Sequence, residues 1–180
     1  MNANAAGPDG AAAPLTVALL GNPNTGKSSL FTALAGIPTR VGNYPGVTVE
    51  EKVGRFVHRG RPIDLVDLPG TYSLSPKSPD ETVAVDVVRG RMAGVAVPDR
   101  LVLVIDATNL ERNLYLASQA VALGIPCVAA LTLGDAASDR GIEIDADLLA
   151  RRLGCAVVPV VAPRRQGIDR LADAIVAAGP

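Results

Sequence analysis

The octapeptide Gly21-Asn22-Pro23-Asn24-Thr25-Gly26-Lys27-Ser28 constrains this chain more than any other stretch. It fits G-x-x-x-x-G-K-[ST], the phosphate-binding loop of nucleoside triphosphatases. It follows the apolar run Leu15 to Leu20, which reads as a buried strand, and precedes Ser29 to Leu34, which reads as the first turns of a helix. That setting gives each position a task. The glycines let the main chain curl so that the N–H groups from Gly21 to Ser29, Pro23 apart, point inward at an anion. The helix start adds partial positive charge. Lys27 supplies a full charge for the β- and γ-phosphates, and Ser28 offers a hydroxyl ligand to Mg²⁺.

The chain has 180 residues and a formal net charge of −1, a size that favours one domain and a balance that argues against a nucleic-acid partner or a polybasic membrane patch. Tryptophan is absent, which weakens any base-stacking role. The two cysteines, Cys127 and Cys155, each lie in an apolar run and read as buried free thiols without metal-ligand spacing. No apolar stretch reaches the roughly 18 residues of a membrane span. Residues 1–14, rich in Ala, Gly, Asn and Pro, read as a disordered tail, and 15–180 as the folded domain. The start lacks a secretory signal, so a cytosolic setting is expected.

Along the rest of the chain, strand patterns alternate with helical ones. Val47 to Val57 and Pro62 to Asp67 form a predicted hairpin about the turn His58-Arg59-Gly60-Arg61. Leu101 to Asp106, Cys127 to Leu131 and Ala156 to Val161 read as buried strands. Glu111 to Leu123, Asp145 to Leu153 and Gly167 to Ala177 read as helices. This order predicts an α/β fold, a mainly parallel sheet of about six strands with helices on both faces. Ligands of such sheets sit beyond the carboxyl ends of the strands. The phosphate loop, Asp67 and Asp135 all follow strand ends. Two irregular stretches, 36–46 and 69–81, are predicted to rim the site.

Asp67-Leu68-Pro69-Gly70 is D-x-x-G at a strand end. A carboxylate there can hold a water on Mg²⁺, and Gly70 lets its N–H approach a γ-phosphate. Thr48, within Gly46-Val47-Thr48-Val49-Glu50, lies between the phosphate loop and Asp67. In signalling GTPases a threonine in this region closes over Mg²⁺ and the γ-phosphate and is released when that phosphate is lost.

Taken together, Gly21 to Leu30, Val41 to Glu50, Asp67 to Leu74 and Asp106 to Leu116 resemble the GTPase domain of the FeoB family of bacterial ferrous iron transporters. The resemblance implies a P-loop NTPase fold of the Ras-like G-domain type, binding GTP and GDP with Mg²⁺. It also implies a place on the cytoplasmic face of the inner membrane, ahead of a helical spacer and a membrane permease domain that this sequence lacks. Small accessory iron-transport proteins are implied partners, and a homo-oligomer stays open. Members lack the glutamine that Ras-like proteins carry after D-x-x-G. Thr71 stands there, so slow hydrolysis is expected, with first-switch backbone placing the water. Several members respond to K⁺ through a loop asparagine, which assigns Asn24 to that ion. The implied catalytic set is Lys27, Thr48, Gly70 and Asn24; the implied Mg²⁺ set is Ser28, Thr48 and Asp67.

Two positions depart from the pattern. Guanine selectivity normally rests on N-[KM]-x-D, where the sequence has Thr132-Leu133-Gly134-Asp135. Asp135 keeps the carboxylate that guanine N1 and N2 need, but Thr132 has one donor in place of two. The loop that usually faces guanine O6 is Val161-Ala162-Pro163, and Pro163 has no N–H to offer. Weakened guanine recognition is the expectation. Two other readings stay open: an NTPase of relaxed base choice, and a nucleotide-dependent interaction module with negligible hydrolysis. Iron binding by this segment is not expected, since His58 is the only histidine and reads as exposed in a turn.

Overall fold

The computed structural model describes residues 13–179, so the expected tail falls almost wholly outside it. Seven strands form one sheet: β1 (Leu15–Gly21), β2 (Arg40–Asn43), β3 (Glu50–His58), β4 (Arg61–Asp67), β5 (Arg100–Asp106), β6 (Cys127–Thr132) and β7 (Ala156–Pro159). Their spatial order is β2-β3-β4-β1-β5-β6-β7. β4, β1, β5, β6 and β7 run parallel, whereas β2 and β3 are antiparallel to their neighbours. Six helices complete the domain: α1 (Lys27–Ala35), α2 (Pro79–Val88), α3 (Leu110–Val121), α4 (Gly134–Asp139), α5 (Ala146–Leu153) and α6 (Ile168–Ala177).

Alternation along the central strands builds two cores. Val17 and Leu19 of β1, with Val102 and Val104 of β5, face Leu30 and Phe31 of α1 and Leu171 and Ile175 of α6. Ala18 and Leu20, with Leu101, Leu103 and Ile105, face Val83 and Val87 of α2 and Leu116 and Ala120 of α3. Burying both faces explains why these strands are continuously apolar.

The seventh strand is β2, inside a stretch expected to be irregular. All its residues are exposed, so it carries no apolar alternation to betray it. Its structure comes from pairing with β3, Gly42 opposite Glu51. The strand expected at Val47 starts only at Glu50, and the last strand stops at Pro159 rather than Val161. α2 begins at Pro79, inside the end of the stretch 69–81 expected to be irregular, and its continuation to Val88 was not anticipated. Its start has a capping-box signal: the Ser78 hydroxyl accepts from Glu81 N at 3.2 Å, and the Glu81 carboxylate accepts from Lys77 N at 2.6 Å. α5 begins and ends as expected, with Asp145 capping Leu148 N and Gly154 left-handed at φ 81°.

His58 is not the exposed turn residue the sequence suggested. Its Nε2 donates to Asp173 of α6 at 2.6 Å, and its side chain is only 18% exposed. The β3–β4 hairpin end rests on α6, which sequence periodicity could not reveal. The thiols of Cys127 and Cys155 are free and only partly buried. No helix among the described residues is long and apolar enough to cross a membrane.

Candidate nucleotide site

The phosphate loop turns sharply because two of its residues adopt left-handed backbone, Asn24 at φ 62° and Gly26 at φ 82°. Gly26 is also the residue before α1, and the first turn of that helix carries no acidic side chain. Its free N–H groups therefore face outward as an anion cradle without a competing carboxylate. Gly21 ends β1 against the Val104 carbonyl, and a Cβ there would lie only 2.8 Å from that oxygen. Thr25 Oγ1 closes the loop by donating to Asn22 O at 2.9 Å. Asn22 is 3% exposed, and neither its amide oxygen nor its amide nitrogen has a partner.

Lys27 Nζ lies 2.5 Å from Asp67 Oδ1, each side chain about nine-tenths buried at 12% exposure. The lysine of α1 is thus held by the last residue of β4. Around this pair two cavities meet. One of about 690 Å³ is lined by Pro23, Asn24, Gly26, Lys27, Ser28 and Ser29 together with Pro69, Gly70 and Asp80. The other, about 310 Å³, is lined by Lys27, Thr48, Asp67, Leu68 and Asp80, among others. Gly70 packs close beneath the loop; a Cβ on it would meet Pro23 at 3.0 Å. Glycine is required there by close approach, not by backbone angle.

The sequence-derived phosphate and Mg²⁺ residues thus converge, with Ser28 and Thr48 exposed at the rim. Gly46 and Val47 are exposed in the turn before β3, and neither lines these two cavities. Asp80 was missed by sequence reasoning. It stands in the first turn of α2, and only the fold of that helix brings it to both cavities. The Ser78-Pro79-Asp80-Glu81 capping signal could have found it.

Between β2 and β3, Tyr44 is 1% exposed and its hydroxyl has no partner. Burial pushes the phenol far above its usual range, and the nearby carboxylates of Glu51 and Asp67 push the same way.

The residues expected from the sequence to face the base lie at the carboxyl ends of β6 and β7, which are neighbours in the sheet. Thr132, 4% exposed, donates its hydroxyl to Thr25 O at 2.7 Å, with the Ile105 carbonyl also near at 3.1 Å. Its single hydrogen is spent within the protein. Asp135 is exposed in the first turn of α4, with Oδ1 accepting from Ala136 N at 3.0 Å. Val161, Ala162 and Pro163 enter a short 3₁₀ turn. There the amides of Arg164, Arg165 and Gln166 bond back to carbonyls of Val161 and Ala162. Thr71, after Gly70, is fully buried, and its hydroxyl donates to Ser73 O at 2.8 Å.

These parts fit a nucleotide: an anion cradle, a lysine, a carboxylate on the adjacent strand β4, and a second loop cluster on the other side of β1, at the ends of β6 and β7. Comparisons with known proteins agree. The family described as ferrous iron transport protein B matches residues 15–175. The Fe(2+) transporter FeoB of Salmonella typhimurium is 50% identical over 165 residues, which is 89% of this chain and 21% of that protein. The chain therefore spans about a fifth of its curated relatives' length. Among solved structures, the cytosolic domain of L. pneumophila FeoB is similar with a TM-score of 0.83 and 45% identity, covering 89% of this chain and 67% of that one. The cytosolic domain of T. maritima FeoB in its GMPPNP form gives a TM-score of 0.82 at 42% identity, covering 90% of this chain and 62% of that one.

Proposed function

We propose, for a chain that belongs to the ferrous iron transport protein B (FeoB) family, that residues 15–180 form a GTPase domain that binds GTP and GDP and hydrolyses GTP slowly. The observation that carries this reading is the Lys27–Asp67 pair set between the left-handed loop and Gly70. A triphosphate in the loop competes with Asp67 for Lys27, and Asp67 is then free to serve the cation that accompanies the phosphates. The T. maritima relative's GMPPNP form supports the choice of a guanine nucleotide.

In hydrolysis, water attacks the γ-phosphorus and GDP leaves, with charge shared over the γ-oxygens and the β–γ bridge. Lys27 and the amides from Asn24 to Ser29 stabilise that charge where it develops. Gly70 N–H addresses the γ-phosphate. Ser28, Thr48 and Asp67 would hold Mg²⁺, which when bound neutralises the β- and γ-oxygens. Asn24 would hold K⁺ beside the phosphates. Thr71 stands where a water-orienting glutamine would be, yet its hydroxyl is buried and committed to Ser73. No side chain at that position can aim the water, which supports a slow rate.

Guanine recognition rests on the exposed Asp135. Thr132 keeps the tie to the phosphate loop but has no hydrogen left for the purine. The loop after β7 turns its amides onto itself. Both features support weakened affinity, and they also favour a second reading, relaxed base choice. Calorimetry with GDP and ADP separates the two: a clear GDP preference supports Asp135-based selectivity, and equal binding supports the second. GTP turnover of the purified chain, in K⁺ and in Na⁺, tests the main reading; no turnover in either salt overturns it.

In this reading the domain lies on the cytoplasmic face of the bacterial inner membrane, beside a permease domain through which Fe²⁺ passes. Small accessory iron-transport proteins and a second copy of the chain are further partners in this reading.

A further inference from the structure

At the end of the sheet opposite the nucleotide site, β6 and β7 run parallel with Val128 opposite Ala156. One step back on each stand Cys127, the first residue of β6, and Cys155, immediately before β7. Residues in register on neighbouring strands project from the same face, and the strands lie about 4.8 Å apart. That spacing falls within the roughly 4.4–6.8 Å Cα separation of a disulfide. Both thiols are free and partly exposed. Both line one groove of about 410 Å³, walled by small residues that include Gly124, Gly154 and Ala156. Cys155 sits in a bend outside the β6–β7 ladder, next to the left-handed Gly154. Its backbone can shift without breaking a ladder bond.

We propose that Cys127 and Cys155 form a redox modification site, a dithiol that a hydroperoxide closes to an intramolecular disulfide. One sulfur attacks the peroxide O–O bond, becoming a sulfenic acid and releasing water from hydrogen peroxide. The second thiol attacks that sulfur, forming the S–S bond and releasing a second water. Two electrons pass from the two sulfurs to the peroxide, and both thiol protons leave in the waters. Burial pushes the Cys127 thiol up to about 12, with Cys155 adding to the shift, and burial raises Cys155 too. The Cys127 S–H also donates to Ile125 O at 2.9 Å. The thiolate is therefore scarce at neutral pH, and the pair responds to sustained oxidant, not to a brief pulse. The bond would staple the amino ends of the two strands whose far ends lead to Thr132, Asp135 and Val161.

The test exposes the whole chain to hydrogen peroxide until Met92 is converted to sulfoxide, then maps cysteines by non-reducing peptide mass spectrometry. The expected result is a monomer in which the Cys127 and Cys155 peptides are joined, two hydrogens lighter, and separated again by dithiothreitol. In Cys127→Ser the lone Cys155 proceeds to sulfinic acid. Two thiols still reduced once Met92 is oxidised, sulfinic acid at both cysteines of the unmodified chain, or cross-linked dimers would each overturn the proposal.

Discussion

Lys27 Nζ and Asp67 Oδ1 lie 2.5 Å apart, so the ammonium of the phosphate loop and the carboxylate at the end of β4 neutralise each other across the cavity mouth. The pair holds α1 against β4 and keeps a nearly buried lysine compensated. Under the proposed function it opens when phosphates arrive, and that exchange would make both residues sensitive probes.

Lys27→Ala is expected to weaken GDP and GTP binding about 10–150-fold, since hydrogen bonds to charged groups contribute about 1.5–3 kcal/mol. Asp67→Asn should behave differently. It leaves phosphate binding without Mg²⁺ largely intact and removes the gain that Mg²⁺ brings. Calorimetric titrations with and without Mg²⁺ distinguish the two; an equal loss in both conditions for Asp67→Asn contradicts its assigned role.

Thr132→Val removes the hydroxyl that ties β6 to the phosphate loop at Thr25 O. It strands a buried carbonyl, at a cost of about 1–3 kcal/mol. The expected result is a lower melting temperature together with faster release of a fluorescent GDP analogue. Unchanged stability and release would show that the loop does not depend on this bond.

Asp135→Ala should leave the melting temperature near that of the unaltered chain, because the residue is exposed and its recorded bond is to its neighbour's amide. GDP affinity is expected to fall at least about tenfold, to the level of ADP, from loss of a charged acceptor. Competition of GDP and ADP for a bound fluorescent nucleotide reads the outcome directly.

Tyr44→Phe deletes a hydroxyl that is buried without a partner. Leaving such a group unsatisfied costs about 1–3 kcal/mol. The variant should therefore melt at the same temperature or higher, by thermal denaturation without nucleotide. A large drop would mean that the hydroxyl has a partner in solution.

Hydrogen bonds from His58 and Arg59 hold the Asp173 carboxyl below its usual range. A carboxylate depressed in the folded state contributes stability that is fully present above its unfolded value, about 3.9, and lost as pH falls through the lower folded value. The Asp173 side chain is 40% exposed, so solvent screening keeps the contribution small. Melting curves for Asp173→Asn and the unaltered chain should differ near neutral pH and converge in strong acid.

Much of this architecture is written locally. The phosphate loop is legible because its function demands glycine and lysine at fixed intervals beside a strand and a helix. The central strands are legible because burial on both faces demands unbroken apolar runs, as in Leu101 to Ile105. Asp145 and Gly154 announce α5 because helix ends need an acceptor at one side and a left-handed residue at the other. α2 and Asp80 escaped although Ser78 and Glu81 signalled the helix start; β2 and the partner of His58 had no local cause. β2 exists only because β3 pairs with it. His58 finds Asp173, 115 residues away, because the hairpin folds onto α6.

The amino-acid sequence alone therefore determined the chemistry available to this chain, a curled anion cradle with Lys27, Asp67 and Gly70, since those identities depend on spacing within a few residues. Only the tertiary structure decided how that chemistry is disposed. It paired Lys27 with Asp67, turned Thr132 and Thr71 inward, brought Asp80 to the cavity and set Cys127 beside Cys155. Such relationships follow from which strands are neighbours, and that order is set by packing between segments far apart in the chain, which no short stretch can encode.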